Sequence, residues 1–387
     1  IAVNLAVMNL LPLPALDGGK IFFLVINALC MLVIKKRIPQ KFETYVHLAG
    51  FGLLVLYSMS AYNGQVRFND AAYYLKKQLF AMLSGFCLMY GIARLDYHTL
   101  ERFAVPAYLI SLALSGAVLL FGDAYNGSRR WLSIGPLSFQ PAEYAKPAVI
   151  LLLASAVSRI QGKGGWWRSA AVFALVLPIV GLVGTNNLST AVIILGIAGI
   201  LLFISNPRYL PFLWMLLAGS GFLGIFLSLE AYRLERVAIW RHPEQYEKGY
   251  QTMQGLYAIG SGGLFGRGIG KSIQKLGFVP EAQNDMIFSV ICEELGLFGA
   301  LFLMLLFAVL IWRFMVIATH TADLFGALIV AGIMGHIAIQ VILNIAVVTN
   351  TIPNTGITLP FVSYGGTSML FLLAEMGLAL SVSRWRK

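Results

Sequence analysis

Long apolar windows recur from one end of the chain to the other, and they limit the folds open to it. The chain has 387 residues, of which 58% are hydrophobic and 12% charged, about half the charged fraction of a soluble domain. A helix of about 20 apolar residues crosses a bilayer, and it satisfies its own backbone hydrogen bonds where no water can do so. The windows therefore predict an all-α protein, a polytopic transmembrane helical bundle.

The apolar windows define the candidate membrane spans. They lie near residues 21–35, 45–62, 77–93, 103–121, 143–158, 169–184, 188–205, 208–228, 286–312, 324–348 and 367–383. Residues 1–12 are also apolar, but prolines interrupt them. We expect this N-terminal region to add a hydrophobic hairpin or a partial span.

Basic residues are unevenly distributed among the predicted loops. If the loop after Lys35 is cytoplasmic, most lysines and arginines outside the long loop 229–285 fall on the cytoplasmic side, and long translocated loops are exempt from the charge count. By the positive-inside rule, this predicts a cytoplasmic C-terminus and outward-facing loops at 122–142, 229–285 and 349–366. The net charge of +11 is explained by this topology, and no nucleic-acid partner is expected.

The sequence PEAQND, which ends in Asp285, stands directly before an apolar run. A carboxylate at the start of a helix can cap the free N–H groups there and interact favourably with the helix dipole. It can also act as a general base at the membrane surface. Pro280 cannot continue a helix, so we expect the next helix to begin at Asn284 or Asp285.

Other ionisable groups have two interpretations each. Glu143 and Lys146 are three residues apart on one helix face, so they can pair with each other, or Lys146 can bind an anion. Arg129 and Arg130 can anchor the chain to lipid headgroups or hold a diphosphate through bidentate hydrogen bonds.

Glu293 and Glu294 fall within an apolar run, where ionisable residues are candidates for function by default. Adjacent helix residues point about 100° apart, so we expect these two to have different roles. The alternative is that one of them pairs with a buried base and fixes the fold.

Two glycine-containing stretches complete the outer loops. SGGLFGRGIGK (261–271) is only weakly similar to a nucleotide-binding loop, and we interpret it as a turn-rich hairpin or re-entrant feature. TGITLPFVSYGG contains Pro360, and irregular backbone at membrane depth is tolerated only against protein or a water-filled cavity. It therefore predicts a cavity wall with polar side chains at Ser363, Tyr364 and Thr367.

In these loops the chain resembles the SEDS family (shape, elongation, division and sporulation) of bacterial cell-wall polymerases, of the FtsW, RodA and SpoVE type. The matching motifs lie at 126–146, 186–191, 248–296 and 353–368, and the resemblance covers about residues 53–387. It implies about ten spans with a long extracellular loop. The PEAQND form favours the division and sporulation branch.

The resemblance implies a peptidoglycan glycosyltransferase that polymerises lipid II at the outer face of the bacterial cytoplasmic membrane. The family's catalytic aspartate corresponds to Asp285, and a single base predicts inversion at the anomeric carbon. Substrate-binding residues are expected in the outer loops and at the adjoining starts of spans: Arg129, Arg130, Gln140, Glu143, Lys146, Ser363, Tyr364 and Thr367. The chain departs from many family members at Asn187, where they have an aspartate, so no ionic role is assigned there.

The expected partners are a class B penicillin-binding protein and other division or elongation proteins. No cofactor is firmly implied, and a divalent cation, magnesium or manganese, stays open as an aid to diphosphate binding. Two alternatives remain: a lipid II flippase, and a scaffold that only positions the crosslinking enzyme. The best carboxylate lies at the outer edge of a span instead of at its middle, which favours chemistry over transport.

The N-terminus resembles another family. NLAVMNLLPLPALDGGK (4–20) is similar to the C-terminal end of site-2-type intramembrane zinc metalloproteases, in which the aspartate of LDG, here Asp17, is a zinc ligand. The chain lacks the HExxH helix that supplies the other ligands, and a catalytic zinc normally takes three. We therefore expect residues 1–52 to be a non-catalytic remnant that binds no metal, followed by a polymerase domain at 53–387.

Overall fold

The computed structural model describes residues 43–125, 128–134, 137–160, 166–205, 213–214, 217–221, 224 and 231–385. The helices are α1 Glu43–Phe68, α2 Tyr73–Arg94, α3 Tyr97–Glu101, α4 Ala104–Phe121, α5 Pro141–Ile160, α6 Trp166–Ala174, α7 Leu177–Asn186, α8 Leu188–Ser205, α9 Ala231–Arg241, α10 Tyr250–Gly262, α11 Ile287–Thr319, α12 Leu324–Val348 and α13 Gly366–Arg384. Two short 3₁₀ turns occupy Pro243–Gln245 and Glu247–Gly249. Three strands follow α4: β1 Asp123–Tyr125, β2 Ser128–Ile134 and β3 Leu137–Phe139.

The prediction of a polytopic helical membrane protein is confirmed. Six helical stretches among the described residues are long and apolar enough to span a bilayer: Ala104–Phe121, Trp167–Asn186, Leu188–Ser205, Ile287–Thr319, Leu324–Val348 and Gly366–Arg384. Helices α1, α2 and α5 coincide with three further predicted spans. The predicted span at 21–35, and most of the one at 208–228, lie outside the described residues.

The chain forms two compact units. The first contains residues 1–79, 254–306 and 361–364, and the second contains residues 80–253, 307–360 and 365–387.

In the first unit, helix α11 is interrupted at Gly296, which adopts a left-handed backbone with φ of 68°. In a regular helix the N–H groups of Leu297 and Phe298 would bond to the carbonyls of residues 293 and 294. Here they bond to the carbonyls of Gly263 and Leu264, at 2.9 and 3.2 Å. The carbonyls released at 293 and 294 accept from the N–H groups of residues 267 and 268 instead, both at 2.9 Å. The glycine-rich stretch is thus inserted into the hydrogen-bond ladder of α11.

Both sides of this insertion need glycine. A Cβ atom on Gly296 would lie 2.3 Å from the Gly266 nitrogen, and one on Gly266 would lie 2.2 Å from the Glu294 carbonyl oxygen. Gly263, Gly266, Gly268 and Gly270 all have positive φ, which agrees with a turn-rich segment.

In the second unit, helices α4, α5, α7, α8 and α12 pack against one another, and α13 packs on α5 and α12. The most apolar windows of α12 and α13 are 67% and 72% buried, whereas that of α4 is 28% buried. Helices α12 and α13 therefore lie inside the second unit, and α4 presents most of its surface outward.

Two regions predicted as loops have regular structure. The stretch after α4 is a three-stranded antiparallel meander in the order β1-β2-β3, with Trp131 opposite Asp123 and Leu132 opposite Phe139. The predicted long loop 229–285 contains α9, α10 and the two 3₁₀ turns. Strands of three to seven residues carry little periodic signal, and α9 is too polar to resemble a span.

Candidate active site

Asp285 lies in a turn of the first unit, two residues before the first residue of α11. Its side chain is partly exposed, while neighbouring Ala282 and Met286 are almost fully buried. The turn is closed by Asn284, whose backbone N–H donates to the Glu281 carbonyl at 2.8 Å and whose side-chain amide donates to Glu281 Oε2 at 2.9 Å. The PEAQND sequence therefore folds as a tight turn, and α11 begins slightly later than predicted.

The buried side chain of Gln283 ties this turn to two other segments of the first unit. Asn63 of α1 donates from Nδ2 to Gln283 Oε1 at 3.0 Å. The backbone N–H of Tyr364 donates to the Gln283 carbonyl at 2.9 Å. Two predicted substrate residues, Ser363 and Tyr364, are thus brought to the segment that carries Asp285.

Tyr364 is half-buried, and its ring meets that of Tyr74 edge to face with centroids 5.0 Å apart. Burial, with smaller contributions from Tyr73 and Tyr74, raises the pKa of the Tyr364 phenol to about 12. At neutral pH this phenol is protonated and can donate a hydrogen bond. Ser363 is buried, and its carbonyl accepts from Gln78 Nε2 at 3.4 Å.

Glu293 and Glu294 both face the segment that precedes the Asp285 turn. Glu293 is fully buried and accepts from the Ser272 hydroxyl and from the backbone N–H groups of Ile273 and Gln274, at 3.1 and 3.3 Å. Arg267 lies 3.6 Å from its Oε1 atom.

Glu294 forms a 2.7 Å ion pair with buried Lys275 and accepts from the Ser58 hydroxyl of α1 at 3.0 Å. This geometry matches the alternative interpretation, in which one of the two glutamates pairs with a buried base and fixes the fold. The two glutamates have different partners, as expected, but those partners hold the same segment in place.

In the second unit, Arg129 and Arg130 of β2 line a cleft together with Gln140 and with Asn186 and Asn187 at the end of α7. Arg130 Nε donates to the Asn186 carbonyl at 2.9 Å and is partly exposed. Asn187 has a structural role here, because its Oδ1 atom accepts from the Thr190 N–H at the start of α8. The cleft thus places two guanidinium groups beside several amides.

Glu143 and Lys146 are both buried on α5 and form an ion pair of 2.9 Å. Lys146 also donates to Gln340 Oε1 of α12 at 3.3 Å. The pairing alternative for these two residues is therefore observed. An ammonium has three N–H donors, and these two acceptors take two of them.

Gln340 connects the ion pair to a second buried pair. His336 Nε2 lies 2.8 Å from Gln340 Oε1, and His336 Nδ1 lies 2.8 Å from Glu375 Oε2 of α13. The Gln340 amide nitrogen donates to the Thr358 carbonyl at 3.0 Å, which fixes Oε1 toward Lys146 and His336. With Oε1 in this orientation, His336 is the donor of the Nε2 contact with Gln340.

Thr367, the remaining predicted substrate residue, lies in the first turn of α13 and donates to the Ser138 carbonyl of β3 at 3.3 Å. It therefore ties the meander to α13 in the second unit.

The sequence prediction missed several residues of these networks. His336, Gln340 and Glu375 are polar residues inside apolar spans, which is a signal that could have found them. Gln283 and Asn63 carried no such signal, because amides in loops and near helix ends are common.

Among the residues that the structure describes, no three His, Cys, Asp or Glu side chains come together as a metal-ligand cluster. Asp17, the orphan zinc-ligand position, lies outside the described residues.

Comparison with known proteins decides the family. Residues 40–387 match the FTSW_RODA_SPOVE family, described as cell cycle protein. The chain belongs to this family. The resemblance drawn from the loop motifs is confirmed. Residues 1–57 match peptidase family M50, in agreement with the metalloprotease resemblance, and the two matches overlap over 40–57 at the start of α1.

Members of the FtsW/RodA/SpoVE family align along most of the chain. Stage V sporulation protein E of Bacillus subtilis (strain 168) is 39% identical over 344 residues, which cover 87% of this chain and 94% of that protein. A probable peptidoglycan glycosyltransferase FtsW of Trichlorobacter lovleyi is 35% identical over 347 residues, covering 87% of this chain and 91% of that protein.

Solved structures of similar proteins share the fold. A structure described as a peptidoglycan synthase complex that coordinates polymerization and crosslinking matches with a TM-score of 0.72 and 30% identity, covering 87% of this chain and 97% of that one. The crystal structure of the rod shape determining protein RodA of Thermus thermophilus matches with a TM-score of 0.62 and 30% identity, covering 86% and 95%.

Proposed function

We propose that this protein is a peptidoglycan glycosyltransferase that polymerises lipid II into glycan strands. The observation that carries the proposal is the turn at Asp285: a partly exposed carboxylate, held by buried neighbours, directly before a membrane-length apolar helix. Membership of a family whose curated relatives are named peptidoglycan glycosyltransferases supports it.

In this proposal Asp285 is the general base. A sugar hydroxyl attacks the anomeric carbon of the donor, the bond from that carbon to the diphosphate oxygen breaks, and Asp285 takes the hydroxyl proton as the new glycosidic bond forms. The diphosphate leaves as an anion, so a strong acid is not essential. Direct displacement with one base inverts the anomeric centre, whereas retention would use a second close carboxylate as nucleophile.

The lipid diphosphate is proposed to bind basic groups of the second unit. Arg129 is exposed and Arg130 is partly exposed, and a guanidinium suits bidentate contacts with phosphate oxygens. Arg129 and Gln140 line the same cleft. Lys146 is 2% exposed, so a diphosphate oxygen reaches its remaining N–H only inside the helix bundle. Ser363, Tyr364 and Thr367 are proposed as further substrate contacts.

The basic loops support a multi-pass protein of the bacterial cytoplasmic membrane with its C-terminus in the cytoplasm and Asp285 on the outer side. A class B penicillin-binding protein is the proposed partner, since a solved structure similar to this chain is described as a complex for polymerization and crosslinking. Residues 1–52 are proposed to be non-catalytic.

A lipid II flippase is the second candidate. The buried ionisable groups of the second unit favour it, because intramembrane charges often mark transport pathways. One assay distinguishes the polymerase from the flippase. It uses purified protein and fluorescent lipid II, with and without the partner.

Polymerase activity produces muramidase-sensitive strands in detergent, where no leaflets exist, and releases undecaprenyl diphosphate. A flippase produces no strands in detergent and moves the label between the leaflets of a vesicle. Absence of strands in the presence of the partner, together with leaflet exchange, would overturn the proposal.

A further inference from the structure

Two residues outside the Asp285 turn, Asn63 and Tyr364, hold it in place through hydrogen bonds to Gln283. Gln283 is 3% exposed, and it receives hydrogen bonds at both its side chain, from Asn63, and its backbone carbonyl, from Tyr364. Asp285 follows two residues later, with Asn284 locked onto Glu281 between them. The position of the carboxylate therefore depends on where Gln283 is fixed.

Helix α1 supplies one side of this contact. Asn63 and Ser58 lie on α1, and Ser58 bonds to Glu294 near the start of α11. The two helical residues therefore hold both the turn before α11 and the first turns of α11 itself. The two family matches overlap over 40–57, and α1 includes residues 43–57 of that overlap.

Backbone geometry shows that the turn needs external support. Glu281 adopts a left-handed conformation with φ of 49°, which is unfavourable for a residue with a long side chain. Such a conformation persists when the surrounding contacts determine it. The Asn63–Gln283 and Tyr364–Gln283 hydrogen bonds are two such contacts, located two residues from the strained position.

We propose that Gln283 and Asn63 are positioning residues for Asp285, so that the helix at which the two family matches meet is part of the active-site scaffold. The inference rests on the proposed role of Asp285 as the base. A general base acts only within hydrogen-bond reach of the proton it removes, and a displacement of about 1 Å can cost about a hundredfold in rate. Loss of the amide contact should therefore lower kcat while leaving the binding of lipid II unchanged.

The test measures kcat and KM for strand formation from lipid II by purified variants. Gln283→Met removes the acceptor at similar volume, and Asn63→Leu removes the donor. Each should lower kcat about tenfold or more with KM unchanged. The double variant should be no slower than Gln283→Met, because both changes remove one contact.

The control is Gln65→Leu on the same helix, an exposed amide that bonds to Asn69 and should leave kcat unchanged. Asn63 is half-buried on α1, so Asn63→Leu keeps the test open if Gln283→Met does not fold. Wild-type kcat in folded Gln283→Met or Asn63→Leu protein would overturn the inference, as would a loss confined to KM.

Asp285→Asn in the same assay separates the two ideas. If it is inactive while both amide variants are normal, the positioning role fails and the proposed function stands. If Asp285→Asn keeps the wild-type kcat, the role of the base fails, and the positioning role fails with it.

Discussion

Each unit contains a group of buried charged side chains, and the two groups differ in their hydrogen-bond partners. In the first unit, Glu293 and Glu294 accept hydrogen bonds from backbone N–H groups of residues 272–274, from Lys275 and from two serine hydroxyls. We call this the carboxylate anchor. In the second unit, the bonds run between side chains of α5, α12 and α13. We call this the lysine network, and it consists of Glu143, Lys146, His336, Gln340 and Glu375.

The difference indicates different roles. Backbone N–H groups in an irregular segment need acceptors when they are buried, and the carboxylate anchor supplies them. Its carboxylates hold residues 272–275, which follow the glycine-rich stretch, and Arg267 within that stretch. Among the described residues, the lysine network leaves one ammonium N–H beyond its two acceptors and a buried Glu375 Oε1 with no hydrogen-bond partner, whereas all four carboxylate oxygens of the anchor have partners. Such incomplete satisfaction is costly and more typical of functional sites.

The largest expected effect is on folding stability, at the carboxylate anchor. Glu294→Met leaves the Lys275 ammonium buried without its carboxylate, which should cost roughly 3–5 kcal/mol of stability. Replacing both partners in the double variant Glu294→Met, Lys275→Met should recover most of this loss, because a buried ion pair can often be exchanged for apolar side chains. Thermal unfolding of the purified variants in detergent measures both.

Among the variants of the carboxylate anchor, turnover of lipid II should fall only where thermal stability falls. If the double variant is as stable as wild type yet makes no glycan strands, the anchor has a chemical role and the comparison fails.

In the lysine network, a substitution should lower turnover of lipid II without lowering thermal stability. The double variant Glu143→Met, Lys146→Met removes both charges, so its thermal unfolding should stay close to that of wild type. Its turnover should still fall about tenfold, the scale of one lost charge-assisted contact to the diphosphate. Arg130→Met should lower turnover by a similar factor.

The matched control is the anchor double variant, which removes the same kinds of charge at another buried pair. Normal turnover in the Glu143→Met, Lys146→Met protein would show that Lys146 serves only its ion pair. If Arg130→Met is also normal, the assignment of the diphosphate site is wrong.

The sequence predicted the elements that depend on local pattern. Apolar windows located the spans, and the PEAQND sequence located the turn before α11 because proline and short polar residues interrupt a helix. The pairing of Asn63 with Gln283 could not be predicted, since 220 residues separate them and either amide alone is unremarkable. The break at Gly296 was equally hidden, because a glycine in an apolar run does not reveal its φ angle.

The smallest effect is expected at the N-terminus. Deletion of residues 1–39 should leave turnover unchanged, because the family match begins at residue 40 and no zinc chemistry is expected without HExxH. A deletion that extends through Gly52 should lower activity through lost stability, since it removes the part of α1 that packs on the Phe361 carbonyl, where a Cβ atom on Gly52 would lie 2.3 Å from the oxygen. Activity of the two truncated proteins is the measurement.

Metal analysis of the full-length protein provides the complementary check. It should find no stoichiometric zinc. Zinc that is present at one ion per chain and lost in Asp17→Ala would contradict a non-catalytic, metal-free N-terminal segment.

The most direct measurement of the central claim is glycan-strand formation by Asp285→Asn protein that still co-purifies with its transpeptidase. The substitution keeps the shape of the side chain and removes the base, so the rate should fall by at least about a hundredfold. Folding and partner binding should persist, since one partly exposed charge has changed. Near-normal strand formation would leave Asp285 as a helix cap and would contradict the account.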